Sequence, residues 1–219
     1  MSEYRITDIN KLIFVPIIDN HKTIFLEGYL DIVNPSIIEA MSSEENKSNR
    51  TGPSSVIIFS HGSGSSKDST RNKRIASIFN RMGLSTLLID LLTNEESEMD
   101  LRTQKLRHKI PGLVLNKFNI GLLTERLVTI TKWLTNNESL SLKNIGYFGS
   151  STGAAAAFLA NSKLSSFDKN TVSNNKVSAI VCRGGRTDPI DDTNVLQQMT
   201  IPCLFIVGSR DNEIIKINK

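Results

Sequence analysis

Histidine and cysteine are scarce in this sequence: three histidines and two cysteines among 219 residues. No two of these residues stand at metal-ligand spacing, so no metal site is expected. Cys182 and Cys203 lie inside apolar runs (AIVC and PCLFIV) and are expected to be buried thiols in adjacent strands, because nothing indicates the oxidising compartment that a disulfide needs. No apolar run approaches the ~18 residues of a membrane-spanning helix. The opening MSEYRITDIN carries early acidic residues and no apolar core, so neither a secretory signal nor a transit peptide is expected. With the free thiols, this points to the cytoplasm and to no membrane partner.

Charge of one sign is also in short supply. The 26 basic and 22 acidic residues leave a surplus of +4. The densest basic cluster, Lys67 to Arg74, is interrupted by Asp68, so there is no basic stripe for nucleic acid. No repeat is visible. A charged fraction of 22% and a hydrophobic fraction of 39% exclude wholesale disorder and suffice for the core of a single domain, 1–219.

Two apolar stretches, Leu12 to Ile18 and Thr23 to Val33, flank the turn Asp19-Asn20 and predict an antiparallel hairpin. Residues 41–55 (MSSEENKSNRTGPSS) are polar, contain Gly-Pro and read as a flexible surface loop. From Val56 the pattern changes. The short apolar runs at 56–59, 86–89, 145–148, 177–182 and 203–207 have the character of strands buried on both faces. Between them, helices are predicted over 69–82, 120–134, 152–164 and 193–199. Ile75, Ile78, Phe79 and Met82 mark one face of the first, ended by Gly83; Leu123, Leu127, Ile130 and Leu134 mark one face of the second. Residues 95–110 read as charged and irregular. Alternating strands and helices predict an α/β fold, a mostly parallel sheet covered on both faces with the antiparallel hairpin at its N-terminal edge.

The sequence Gly149-Ser150-Ser151-Thr152-Gly153 follows a predicted strand and opens an alanine-rich helix, the context a G-x-S-x-G nucleophile turn requires. Ser151, the central residue, is the candidate nucleophile; Ser150 is off-centre. The helix N-terminus beneath supplies free N–H groups suited to an anionic intermediate. Ser60-His61-Gly62-Ser63-Gly64 follows another strand and can turn a backbone N–H toward the serine. Ser63, or Gly64, is one candidate oxyanion donor, and Thr152 is the other. The loop lacks the Gly-Lys-Ser/Thr end of a phosphate-binding P-loop. His61, at a strand end, is expected to fix the loop rather than to act as a base. Asp211, just past an apolar strand, is the candidate acid that would orient a histidine. Arg183 and Arg186 follow the strand VSAIVC at the sheet end where ligands bind. Either could hold a substrate carboxylate or pair with Asp188 or Asp191. Asp90 is a weaker candidate.

These pieces (FSHGSGSSKDSTRN, LLIDLLT, FNIGLLTERL, IGYFGSSTGAAAA, CRGGRTD and LFIVGSRDN) resemble the α/β-hydrolases, and most closely the dienelactone-hydrolase-like family, from the first strand to Lys219. The resemblance implies a serine hydrolase of carboxylic esters or lactones that works through an acyl-enzyme and needs no cofactor. In some relatives such a domain is joined to a phosphoribosyltransferase domain, which nothing in this chain resembles. The family's catalytic histidine follows the acid, whereas His21, His61 and His108 all precede Asp211. The resemblance therefore implies a C-terminally truncated member, its last strand and helix missing, weak or inactive as it stands. His108 could approach the serine from a lid, and an exposed sheet edge would let two copies pair. The other reading is a non-catalytic binding or assembly module on the same scaffold.

Overall fold

The computed structural model describes residues 10–19, 21–33, 54–106, 109–137, 140, 142–167, 177–190 and 194–218. Among them seven strands form one sheet: β1 (Lys11–Asp19), β2 (Lys22–Asp31), β3 (Ser54–Ser60), β4 (Ser85–Ile89), β5 (Leu142–Ser150), β6 (Val177–Arg183) and β7 (Cys203–Ile206). Their order is β1-β2-β4-β3-β5-β6-β7. The β1–β2 and β2–β4 pairs are antiparallel, and every pair from β4 to β7 is parallel. The predicted hairpin is present, with its register closing on Asp19 and Lys22, so the connection is one residue later than expected. The predicted 41–55 loop falls outside the described residues up to 53; Ser54 and Ser55 already belong to β3.

The helices are α1 (Thr70–Arg81), α2 (Asn94–Gln104), α3 (Ile120–Asn136), α4 (Thr152–Phe167), α5 (Asn194–Gln197) and α6 (Asn212–Ile217). The alternation of β3 sorts its side chains between the two faces. Val56 and Ile58 enter the larger core with α3 and α4, while Ile57 and Phe59 face α1 beside Leu88 and Phe148. The predicted apolar stripe of α3 is that core's helical wall: Leu123, Leu127, Ile130 and Leu134 are all buried. Each such side chain contributes about 1.5–3 kcal/mol on burial.

Three expectations change. The charged stretch after Thr93 forms α2, held at its start by a capping box in which Thr93 and Glu96 bond each other's backbone N–H. On α1 the buried positions are Asn72, Ala76 and Asn80; Ile75 and Phe79 of the predicted face pack half-buried against the cluster of Phe59, Leu88 and Phe148, while Ile78 and Met82 are exposed. The helix is rotated because the Asn80 amide donates to Asp31 and its carbonyl accepts from Thr86, satisfying polar groups that would otherwise be stranded. Lastly, Cys203 is exposed, although Cys182 is buried as expected. Among the described residues β7 pairs with β6 alone, which leaves it at the sheet edge with Leu204, Phe205 and Ile206 exposed.

Candidate active site

β5, beside the central strand β3, runs into α4, and the junction is Ser151. Its φ is +50°, a left-handed conformation that costs a non-glycine residue about 1–3 kcal/mol. The surroundings hold it there. The Ser151 carbonyl accepts the N–H of Ala154 at 3.0 Å and of Arg186 at 3.4 Å. The buried Ser60 hydroxyl donates to Gly153 O at 2.8 Å, tying the end of β3 to the first turn of α4. Glycine is required around this turn for lack of space. A Cβ on Gly153 would overlap the carbonyl oxygens of Ser60 and His61, and one on Gly149 would stand 2.6 Å from the Ala154 Cα.

The loop after β3 lies directly against the serine. A Cβ on Gly62 would come within 2.8 Å of the Ser151 Cβ. The backbone N–H groups of Ser63, Gly64 and Thr152 donate no hydrogen bond among the described residues. The Thr152 hydroxyl is likewise buried without a partner. Free backbone donors beside a strained serine, at the N-terminal end of a 16-residue helix, suit developing negative charge.

A buried charge cluster braces the loop from behind. Asp90, at the end of β4, accepts the Lys67 N–H at 2.6 Å and Lys67 Nζ at 3.0 Å. Lys67 Nζ also reaches Glu27 at 3.3 Å. Burial alone would raise Asp90, but His61 and Lys67 outweigh it and hold the carboxyl below its ordinary value. Burial alone would lower Lys67, and Asp90 and Glu27 reverse that, so its pKa is raised. The two groups therefore stay charged against each other. His61 has Nδ1 3.0 Å from Gly62 O and Nε2 3.4 Å from both the Leu91 N–H and Asp90 Oδ1. Its contacts are with the loop and with the end of β4. His61, Gly62, Lys67 and Asp90 line a cavity of about 360 Å³ that continues to Asp100 and Lys117.

Ser151 opens instead on a broad groove of about 1010 Å³. Ser63, Arg71, Arg74, Arg183 and Ile206 form part of its walls. Arg183 and Arg186 have separate places. Arg183 lines the groove and donates to Ser150 Oγ at 3.0 and 3.3 Å. Arg186 is held by Asp188, at 2.8 and 3.0 Å, and by Glu213 at 2.9 Å, which is the pairing alternative of the sequence reading. Asp191 falls outside the described residues, as does His108. Asp211 caps α6 by accepting the Ile214 N–H at 3.3 Å, and the neighbouring Gly208 lines the groove. Cys182 lies below this end of the sheet, and burial pushes its thiol up to about 11, leaving it an inert packing residue. Arg71 and Arg74 were not singled out from the sequence; their spacing of three on the first turns of a helix beside the Gly62 loop was the available signal. No group of three metal-ligating side chains occurs among the described residues. No helix among them is long and apolar enough to cross a membrane.

No family model matches the chain. It is 38% identical over 167 residues to two Mycobacterium tuberculosis proteins, of strains CDC 1551 / Oshkosh and ATCC 25618 / H37Rv, that carry the provisional name phosphoribosyl transferase. That match takes in 76% of this chain and spans about a third (32%) of their length. Among solved structures, a dienelactone hydrolase from Anabaena variabilis is 38% identical, with a TM-score of 0.70 over 95% of this chain and 77% of that one. An esterase from Pyrococcus furiosus shares the fold at 16% identity, with a TM-score of 0.58 over 94% and 76%. Sequence identity and fold agree along nearly the whole chain, with a G-x-S-x-G serine at the β5–α4 turn: the chain belongs to the α/β-hydrolases, in the dienelactone-hydrolase-like family.

Proposed function

We propose that this protein is a serine hydrolase of carboxylic esters or lactones, acting through an acyl-enzyme on Ser151. The observation that carries the reading is the positive φ of Ser151 at the head of α4, in contact with the Gly62 loop. A strained, over-determined serine between a strand and a helix N-terminus is how a nucleophile is presented above a parallel sheet. In the reaction Ser151 Oγ bonds to the substrate carbonyl carbon. The carbonyl oxygen becomes an oxyanion facing the N–H groups of Thr152 and Ser63. Collapse breaks the carbon–oxygen bond to the leaving alcohol, which takes up the serine's proton. Water then cleaves the acyl-enzyme, releasing the acid and restoring the serine.

Both proton transfers need a base. Asp211 is the acid that would orient one; among the described residues no histidine bonds Ser151, and His61 is engaged with Gly62, Leu91 and Asp90. With no base bonded to Ser151, acylation and especially deacylation are slow, while the oxyanion donors retain part of the rate enhancement. The proposal therefore predicts a single-turnover burst. With an activated p-nitrophenyl ester, about one equivalent of p-nitrophenol per chain appears, followed by a steady rate near background. Ser151→Ala abolishes the burst. If the wild-type chain, shown folded by circular dichroism, releases p-nitrophenol linearly at the rate of Ser151→Ala, the groove belongs to a binding module and the hydrolase reading fails.

A further inference from the structure

The groove in front of Ser151 has an unbalanced charge. Arg71, Arg74 and Arg183 line it, and none of its lining residues is an aspartate or a glutamate. Neither Arg71 nor Arg74 has a carboxylate partner among the described residues. Arg183 is half-buried, and among the described residues its guanidinium meets only neutral groups. These are the Ser150 hydroxyl at 3.0 Å, the Asn72 amide oxygen at 3.4 Å and the face of the Phe148 ring, 5.7 Å from its centroid. Burial, and then the like charge of Arg71, hold Arg183 below the ordinary guanidinium value. Arg186, a few residues on, shows the contrast: it is fully engaged by two carboxylates outside the groove. The lining also includes Ser63, Ser65 and Thr70, which carry hydroxyls.

We infer that this groove seats a phosphate monoester group, carried by the substrate at a distance from the bond that Ser151 attacks. A carboxylate brings one charge and two oxygens, which a single guanidinium already satisfies in a fork. A phosphate monoester brings a charge of about −1.5 to −2 and three acceptor oxygens, which match several guanidiniums and neighbouring hydroxyls. Seating it also removes the repulsion between Arg71 and Arg183. At about 1010 Å³ the groove has room for the phosphate and an organic body between it and the serine. The inference rests on the hydrolase reading only for the fate of the bound molecule. The seat itself is a property of the arginines.

Isothermal titration of the full 219-residue chain with inorganic phosphate, at constant ionic strength, tests the seat without any turnover. Saturable binding at one site is expected, with acetate at least roughly tenfold weaker because it forfeits charge-assisted hydrogen bonds. Arg71→Gln and Arg74→Gln should each weaken phosphate by roughly fivefold to tenfold, and the double variant by more. Arg102→Gln, on the exposed face of α2 and paired with Glu98, should leave the affinity unchanged. Retained binding in the folded double variant would overturn the inference, as would equal affinity for acetate and phosphate. Failure of the two readings is distinguishable. Phosphate binding without a p-nitrophenol burst leaves the seat standing and removes the hydrolase. A burst without phosphate binding does the reverse.

Discussion

Lys67 meets both oxygens of the Asp90 carboxylate, one through its backbone N–H at 2.6 Å and the other through Nζ at 3.0 Å. This contact pins the far end of the loop that begins at His61, and the near end of the loop touches Ser151. The first prediction follows from it. Asp90→Asn leaves a buried ammonium with only Glu27 and Asp68 near it. The expected loss in urea-induced unfolding is about 2 kcal/mol, less than for an isolated buried charge because those two carboxylates remain. Labelling of Ser151 by a fluorophosphonate should slow as well, since the loop loses its brace. Unchanged stability and labelling would show that the loop is held by its backbone alone.

A second prediction concerns acid. Burial would raise Glu96, but the two terminal Arg126 nitrogens and the Thr93 N–H outweigh that and hold its carboxyl below the usual value. Asp90 is depressed in the same direction. A carboxyl with a depressed folded-state pKa takes up its proton first in the unfolded chain. Its stabilisation is complete above the unfolded value, about 4.3 for a glutamate, and is lost as pH falls through the folded value. Urea midpoints should therefore be flat from about pH 7 to pH 5.5 and fall steeply below about pH 4.5. Glu96→Gln should be less stable near neutrality and lose less on acidification. An acid limb as steep in the variant would place the proton uptake elsewhere.

Gly153 provides a steric test of the nucleophile turn. Its Cβ would strike the Ser60 and His61 carbonyl oxygens, which are backbone and have nowhere to go. Gly153→Ala should cost at least about 2 kcal/mol, at the upper part of the range for overpacking, and shift Ser151 away from the loop. A folded Gly153→Ala chain with wild-type stability would contradict the close approach of α4 to β3.

The β7 edge carries the fourth prediction. Leu204 and Phe205 are 56% and 41% exposed on a strand that pairs on one side only, among the described residues. Unpaired, flat and apolar edges invite pairing with another chain. Sedimentation velocity should show association that grows with concentration, and Leu204→Lys should suppress it. A strictly monomeric wild-type chain at all concentrations would remove self-pairing from the account.

What the sequence disclosed and what it hid have physical causes. The parallel strands and α3 are legible because each buries a regular stripe: Leu123, Leu127, Ile130 and Leu134 recur at helical spacing and all end in the core. The turn at Ser151 is legible because glycines at 149 and 153 have no other tenable reason to flank it. Helix α2 was hidden because only Asp100 of its residues is buried, so periodicity says nothing. Its one signal was the capping box of Thr93 and Glu96. The pairing of Glu96 with Arg126, 30 residues away, and of Lys67 with Asp90 depends on which loops the sheet brings together. So does the separation of Arg183 from Arg186. They are three residues apart, yet one lines the groove and the other is tied to Asp188 and Glu213.

The most direct measurement is mass spectrometry of the intact chain after incubation with a fluorophosphonate, followed by peptide mapping. The account predicts one adduct per chain, located on Ser151 and not on the adjacent Ser150, and absent from Ser151→Ala. Its rate should rise with pH as the serine hydroxyl becomes easier to deprotonate. An adduct on Ser150, or no adduct on a chain that melts cooperatively, would contradict the assignment of Ser151 as the nucleophile.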